Sequence, residues 1–158
     1  MNIFYLSKDY QKSAELMCDK HVVKMILESA QMLCTAHHIN TTIHDVDSLY
    51  KIVHKNHPST IWVRTTKEQY LWLYKHFCSL CDEYTFRYGK RHATDLKLRA
   101  KLSVLPLSFP ETGFTPPPKC MPDIYKEGTT IKAYRKYYKF AKGHFAKYTK
   151  RPIPEFMQ

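Results

Sequence analysis

Glycine is scarce in this sequence, with 4 residues among 158, and no stretch matches a glycine-rich phosphate-binding loop, a Walker motif or the GxSxG turn of serine hydrolases. The absence of these motifs argues against NTP hydrolysis and serine-hydrolase chemistry. No apolar run approaches the roughly 20 residues that a membrane span needs, and the N-terminus lacks the basic and long apolar regions of a signal peptide. We therefore expect a cytoplasmic protein that does not bind a membrane.

Patterns for disulfides and metals are equally sparse. The 5 cysteines are odd in number and irregularly spaced, which is typical of reduced thiols. Cys78-x-x-Cys81 has no second CxxC at zinc-site distance. His54-x-x-His57 has no carboxylate at ligand spacing, and HExxH does not occur. We therefore expect neither a metal nor another cofactor, and we interpret His57 as part of a loop that contacts the substrate.

Acidic residues are few: Asp and Glu number 14 against 25 Lys and Arg, which gives a net charge of +11 and a pI near 9.4. Such a charge attracts polyanions. Between Lys119 and Arg151 the chain has ten basic residues, two acidic residues and seven interleaved Tyr and Phe. Cations follow phosphates and aromatic rings stack on bases, so this segment predicts a nucleic-acid surface. The alternative is a C-terminal helix with aromatic residues in the core and a solvated basic face.

Apolar residues recur at helical spacing along most of the chain, and helix caps bracket several segments. We predict an all-α fold, one compact helical bundle over residues 1–158, with an N-terminal arm at residues 3–6 that is extended or a short strand. Residues 106–122 contain six prolines and are predicted to form an ordered loop before the C-terminal helix. The predicted helices run from about Asp9 to His37, around Asp45–Val53, from Thr65 (with Glu68 completing a capping box) to Gly89, from Thr94 to about Val104, and from Thr129 or Thr130 with Gly143 as a break.

The first predicted helix is apolar almost all round, which is typical of a buried helix, except for a narrow polar stripe. Steps of three and four residues place the stripe on one face. In the simplest interpretation it is the solvent edge of a core helix. In the functional interpretation Glu28 lies between apolar flanks with Lys24 as a nearby cation, an environment suited to acid–base catalysis. The stripe consists of His21, Lys24, Glu28, Gln31 and Thr35.

Three features of the first 28 residues carry a resemblance to a known family. The opening Met1-Asn2-Ile3-Phe4-Tyr5-Leu6, the segment Cys18-Asp19-Lys20-His21-Val22-Val23, and Glu28 seven residues after His21 resemble the pyrimidine-dimer DNA glycosylases of the phage endonuclease V type. Fainter similarity continues in Tyr88…Arg91-His92 and in Tyr134-Arg135-Lys136-Tyr137-Tyr138, and Phe114-Thr115-Pro116-Pro117-Pro118 is similar to uncharacterised phage relatives. The resemblance implies a small, basic, all-helical phage protein whose partner is DNA; we infer no obligate protein partner.

The resemblance also implies a mechanism. Members of the family extrude a nucleotide from the duplex, the N-terminal amine attacks the sugar C1′, an imine forms as the base departs, and the strand can then break by β-elimination. By the matching position, Glu28 moves protons and stabilises the cationic sugar. The nucleophile is the amine of Met1 or, if the initiator methionine is removed, that of Asn2. The phage prototype has an arginine before its glutamate, where this chain has Leu27, and Lys24 is a substitute one helical turn earlier.

Two other interpretations remain open: a non-catalytic nucleic-acid-binding protein with this fold, and an N-glycosidic enzyme that acts on a free nucleotide. A buried Glu28 beside a free amine distinguishes a catalyst from a binding protein. The predicted catalytic residues are Glu28, Asn2 and Met1. The residues predicted to bind the substrate are His21 and Lys24 of the stripe, Lys55, Asn56 and His57 of the loop, Arg87, Lys90, Arg91 and His92, and Arg135, Lys136, Tyr137, Tyr138 and Lys139.

Overall fold

A computed structural model describes residues 1–158 and contains helices but no β-strand, which confirms the all-α prediction. Short 3-10 turns lie at Val46–Ser48, Asp123–Tyr125, Gly143–Phe145 and Glu155–Met157. None of the helices combines the length and apolar character that a membrane crossing requires. The helices are α1 (Tyr10–Glu15), α2 (Asp19–Ile39), α3 (Pro58–Thr65), α4 (Lys67–Tyr88), α5 (Ala93–Leu102) and α6 (Thr130–Tyr137), which continues as a wide π-helical turn over Tyr138–Lys142.

The two long helices, α2 and α4, form the centre of the molecule, and α1, α3 and α5 pack against them. They run antiparallel, because the end of α4 meets the start of α2 through Arg87 and Asp19, while the start of α4 meets the end of α2 through Tyr70 and His37. The buried hydrophobic residues form one cluster. The N-terminal arm Ile3–Leu6 is buried within this cluster and does not form a strand.

The long helix predicted from Asp9 to His37 is interrupted, and this part of the prediction is wrong. The chain leaves α1 after Glu15 and re-enters helix at Asp19. Tertiary partners take up the backbone groups at the break: the Cys18 N–H donates to Tyr138 Oη at 2.9 Å, and the Asp19 N–H donates to the Lys147 carbonyl at 2.8 Å. Since these bonds replace those of a continuous helix, no proline or glycine is needed to break it.

The predicted start of α4 is also corrected. Its N-cap is Thr66, whose hydroxyl accepts the N–H of Gln69 at 3.1 Å, while Thr65 ends α3 and donates to the Ile61 carbonyl. Glu68 does not complete a capping box, since its carboxylate accepts the Gly113 N–H at 3.2 Å. The helix does stop as predicted at Gly89, which has a φ of 71°, a left-handed conformation that glycine adopts without strain.

The helix predicted around Asp45–Val53 is reduced to the 3-10 turn Val46–Ser48, and the chain then runs along α2, where the Val53 N–H donates to Thr35. None of the predicted helices corresponds to α3. The start of α5 at Ala93 and the N-cap of α6 at Thr129 agree with the predictions within a residue or so. The proline-rich segment 106–122 has no helix or strand and is fixed to α3, where Trp62 Nε1 donates to the Thr115 carbonyl at 2.9 Å.

Candidate active site

The N-terminal arm brings the chain's amine to the polar stripe of α2. The Met1 nitrogen lies 3.5 Å from Glu28 Oε1, and Lys24 Nζ lies 3.6 Å from Glu28 Oε2. The Met1 side chain is 3% exposed and that of Glu28 is 14% exposed. Since Met1 as a whole is only half-buried, its exposure comes from its backbone. The terminal amine and the carboxylate of Glu28 are therefore adjacent.

His21 fixes the middle of the arm. Its ring stacks on Phe4 with centroids 4.4 Å apart and an angle of 13° between the planes. Its Nδ1 lies 2.9 Å from Tyr138 Oη, the hydroxyl that also accepts the Cys18 N–H. Burial lowers the pKa of His21 to about 4, with further lowering by Lys142 and Lys24 among the nearby cations. The imidazole is therefore neutral near pH 7, and the positive charge around it is carried by the neighbouring lysines.

Asn2 and Leu6 fix the two ends of the arm. The Asn2 side chain donates to the Cys120 carbonyl at 2.9 Å and accepts the Tyr134 hydroxyl at 2.8 Å. At the other end, Arg135 Nε donates to the Leu6 carbonyl at 2.9 Å. These bonds join the first residues of the chain to the last 40, so the position of the amine is determined by two distant parts of the sequence.

Two buried side-chain oxygens lack a hydrogen-bond partner: Glu28 Oε2, on α2, and Thr60 Oγ1, on α3. Buried polar atoms are almost always satisfied, so each exception requires an explanation. For Glu28 the ammonium of Lys24, at 3.6 Å from Oε2, offsets the charge of the carboxylate without a hydrogen bond.

The loop before α3 lies within electrostatic range of the amine. Lys55 and Asn56 are exposed, and His57 is half-buried. Burial lowers the pKa of His57, as do the N-terminal ammonium and His54, whereas Glu28 raises it. Ser59 links this loop to the arm: its hydroxyl lies 3.4 Å from the Cys120 sulfur, and the Cys120 carbonyl accepts from Asn2.

Three of the residues predicted to bind the substrate face inward, and a direct contact with DNA is corrected for each. Arg87 has a side chain that is 0% exposed and pairs with Glu83 and Asp19. Tyr138 is buried and holds α2 through Cys18 and His21. His21 is 4% exposed and acts on the arm, not on solvent. Composition cannot distinguish a basic or aromatic residue in the core from one at the surface.

The remaining predicted contacts divide by how far their side chains are engaged. Lys90 is exposed and forms no ion pair, and Arg91 is exposed but pairs with Asp95. The others are half-buried with an intramolecular partner: His92 caps α5, Arg135 holds Leu6, Lys136 pairs with Glu127, Tyr137 packs on Tyr125, and Lys139 donates to the Gln158 carbonyl.

Three residues that fix the arm were not predicted to belong to the site: Phe4, Cys120 and Tyr134. Phe4 and Tyr134 lie in segments noted only for their resemblance or composition, and nothing in the spacing of Cys120 and Tyr134 joins them to residues 1–28. No group of three or more His, Cys, Asp or Glu side chains is arranged to hold a metal, and the 5 cysteines are free thiols.

Comparison with known families gives one result. The sequence profile of the family described as pyrimidine dimer DNA glycosylase matches residues 1–96, which include the arm, α2 with Glu28, the loop with His57, and α4. No curated protein matches the chain, and no solved structure does.

Proposed function

The chain belongs to the pyrimidine dimer DNA glycosylase family, and on that premise we propose that it removes a damaged pyrimidine from DNA by attack of its N-terminal amine on the sugar C1′, with Glu28 as the proton-transfer group. The observation that carries the proposal is the 3.5 Å distance between the Met1 nitrogen and Glu28 Oε1. Family membership supports DNA as the substrate, and the net charge of +11 supports attraction to it.

The proposed chemistry follows from the two adjacent groups. The neutral amine forms a bond to C1′ as the bond from C1′ to the base N1 breaks, and the electron pair leaves with the base. Glu28 accepts a proton from the attached nitrogen and returns it to the ring oxygen O4′ as the sugar opens, which leaves a protonated imine at C1′. The departed base takes a proton from solvent. An α-amino group suits the first step because it loses its proton more readily than a lysine side chain does.

The nucleophile in this proposal is the amine of Met1. Its side chain is packed against the core, and Asn2 is occupied by its bonds to Cys120 and Tyr134. If Met1 were removed, Asn2 would become the first residue, and its amine would be the nucleophile from a position one residue further along the arm. Lyase activity is a second part of the proposal: the imine acidifies the C2′ hydrogen, and Glu28 is placed to take that proton in β-elimination of the 3′ phosphate.

Trapping with borohydride tests the mechanism. Borohydride reduces an imine to a stable amine, so incubation with a duplex that carries an abasic site should give a covalent protein–DNA adduct. Protein whose N-terminus has been blocked by reductive methylation at low pH should give none, and mass spectrometry of the adduct should locate DNA on residue 1. An adduct on a lysine, or the absence of an adduct with unblocked protein, would contradict the proposal.

A further inference from the structure

His57 occupies the N-cap position of α3 and has a fixed hydrogen-bonding pattern. Its Nδ1 accepts the Ser59 N–H at 3.1 Å. An imidazole nitrogen that accepts from a backbone N–H cannot itself carry a proton, so the proton of the neutral ring is on Nε2. The structure thus makes His57 a neutral side chain with one free donor, Nε2–H.

The surroundings of His57 maintain this state. The positive end of the α3 dipole disfavours a second positive charge at its N-terminus. Burial acts in the same direction and so does His54, whereas Glu28 raises the pKa of His57. A neutral imidazole beside a helix N-terminus can polarise a carbonyl group as a hydrogen-bond donor without becoming a cation.

His57 also lies within electrostatic range of both the amine and Glu28, since each of them shifts its pKa. A chain of contacts from His57 to Ser59, from Ser59 to Cys120 and from Cys120 to Asn2 links it to the arm that carries the amine. When the amine attacks C1′, the base attached to the same carbon must depart, and its negative charge spreads over N1 and the carbonyl oxygens. A donor close to the amine is placed for that charge, whereas the many lysines of the surface suit the phosphates.

We propose that His57 is a catalytic residue whose Nε2–H donates a hydrogen bond to a carbonyl oxygen of the departing pyrimidine and so stabilises the negative charge that develops on it. This inference rests on the proposed function, because it assumes that the amine attacks the carbon that bears the base. No proton needs to move from His57: the base leaves as an anion bound by the donor and is protonated by solvent.

The test uses His57→Asn, because asparagine is among the best N-cap residues and its carbonyl oxygen replaces Nδ1 as the acceptor of the Ser59 N–H. The variant retains the cap and loses the Nε2–H donor. In single-turnover reactions with a duplex that contains one thymine dimer, release of the base from its sugar, after which the base stays joined to its neighbour, is measured as strand breaks after hot alkali. Its rate should fall on the order of 10²-fold, as for loss of one donor to a developing anion. The matched control is His144→Asn, at an exposed histidine in the 3-10 turn Gly143–Phe145; its rate of base release should equal that of the unmodified protein.

A second substrate separates this inference from the proposed function. On abasic DNA the base is already absent, so His57→Asn should form the borohydride adduct as fast as the unmodified protein does. Undiminished base release from the dimer would overturn the inference, and so would an equal loss on both substrates, which would place His57 with the amine instead of the leaving base. If the unmodified protein gives no adduct at all, the proposed function fails, and the inference fails with it.

Discussion

Two groups of charged side chains in this protein differ in how completely they are paired. At the junction of α1, α2 and α4, Arg87 binds Glu83 at 2.7 Å and Asp19 at 3.0 Å, while Arg151 binds Glu83 at 2.9 Å. At the arm, Glu28 has only contacts of 3.5 and 3.6 Å, and one of its oxygens has no hydrogen bond. A carboxylate whose acceptor sites are filled contributes to stability, and one with free capacity remains available for chemistry.

The largest expected effect is on stability at the paired junction. Arg87→Met should lower the free energy of unfolding by about 3–5 kcal/mol, because buried Glu83 loses one of its two arginine partners and half-buried Asp19 loses its arginine. Urea denaturation measures the change. Lys90→Met, three residues later and exposed without an ion pair, should change stability by less than about 0.5 kcal/mol. Equal effects of the two substitutions would mean that the junction is not held by pairing.

The next largest effect is on the rate of reaction, at Glu28, whose ionic contacts are longer than those of the junction. Glu28→Gln keeps the size of the side chain but removes its charge and its ability to take a proton. We expect single-turnover base release to fall by about 10²-fold or more, which is about 2.7 kcal/mol. The urea midpoint and the affinity for DNA should change little, since a carboxylate does not attract phosphate. A rate equal to that of the unmodified protein would reduce Glu28 to a helix-surface residue.

The two regions should also lose stability in different pH ranges. Burial lowers the pKa of His21 to about 4, below the ordinary value of 6.5, so protonation favours the unfolded chain and stability falls as the pH drops from 6.5 towards 4. At the junction, burial alone would raise the pKa of Glu83, but Arg151 and Arg87 lower it below its ordinary value of 4.5. The stability that ionised Glu83 contributes is therefore lost only as the pH falls below 4.5.

His21→Asn isolates the contribution of the arm. The variant should lose up to about 1.4 kcal/mol less per pH unit than the unmodified protein between pH 6 and pH 4, because one titrating side chain is gone. His37 and His76, whose pKa values burial also lowers to about 4, keep the remaining slope. Denaturation curves at several pH values measure it, and identical slopes for the two proteins would show that His21 is already protonated when folded.

The smallest effect concerns DNA affinity. With about six phosphate contacts, log K against log salt should have a slope near −5. Lys55→Ala, exposed beside His57, should weaken binding and reduce the magnitude of that slope by about 1. Lys136→Ala should do less, because Lys136 is engaged by Glu127 at 3.0 Å. Fluorescence anisotropy over a salt series compares them, and a larger loss for Lys136 would place the main DNA contact on α6 instead of the loop before α3.

The sequence predicted those parts of the fold that depend on neighbouring residues. The glycine stop of α4, the N-cap of α6 and the arm before α2 follow from local chemistry. The break at Cys18 did not, because Tyr138 and Lys147, more than 100 residues away, provide the hydrogen bonds that make it possible. Local periodicity carries no information about such partners.

The candidate site could be predicted only in part, because it too combines neighbouring residues with distant ones. Glu28 and Lys24 lie one helical turn apart, so their proximity is visible in the spacing. The buried positions of Arg87 and Tyr138 are not visible in the sequence, because a basic-aromatic segment has the same composition whether it contacts DNA or fills a core. Cys120 reaches the arm through loop packing that no motif records.

The arm's dependence on distant residues has a consequence for synthesis on the ribosome. Phe4 and Leu6 are among the first residues to emerge, but Tyr138 and Arg135, which position them, emerge about 130 residues later. At a translation rate of 5–20 residues per second, the arm waits roughly 6–26 s for these partners. The amine is therefore fixed beside Glu28 only after Arg135 and Tyr138 have been made, and a shorter nascent or truncated chain has an N-terminus without these contacts.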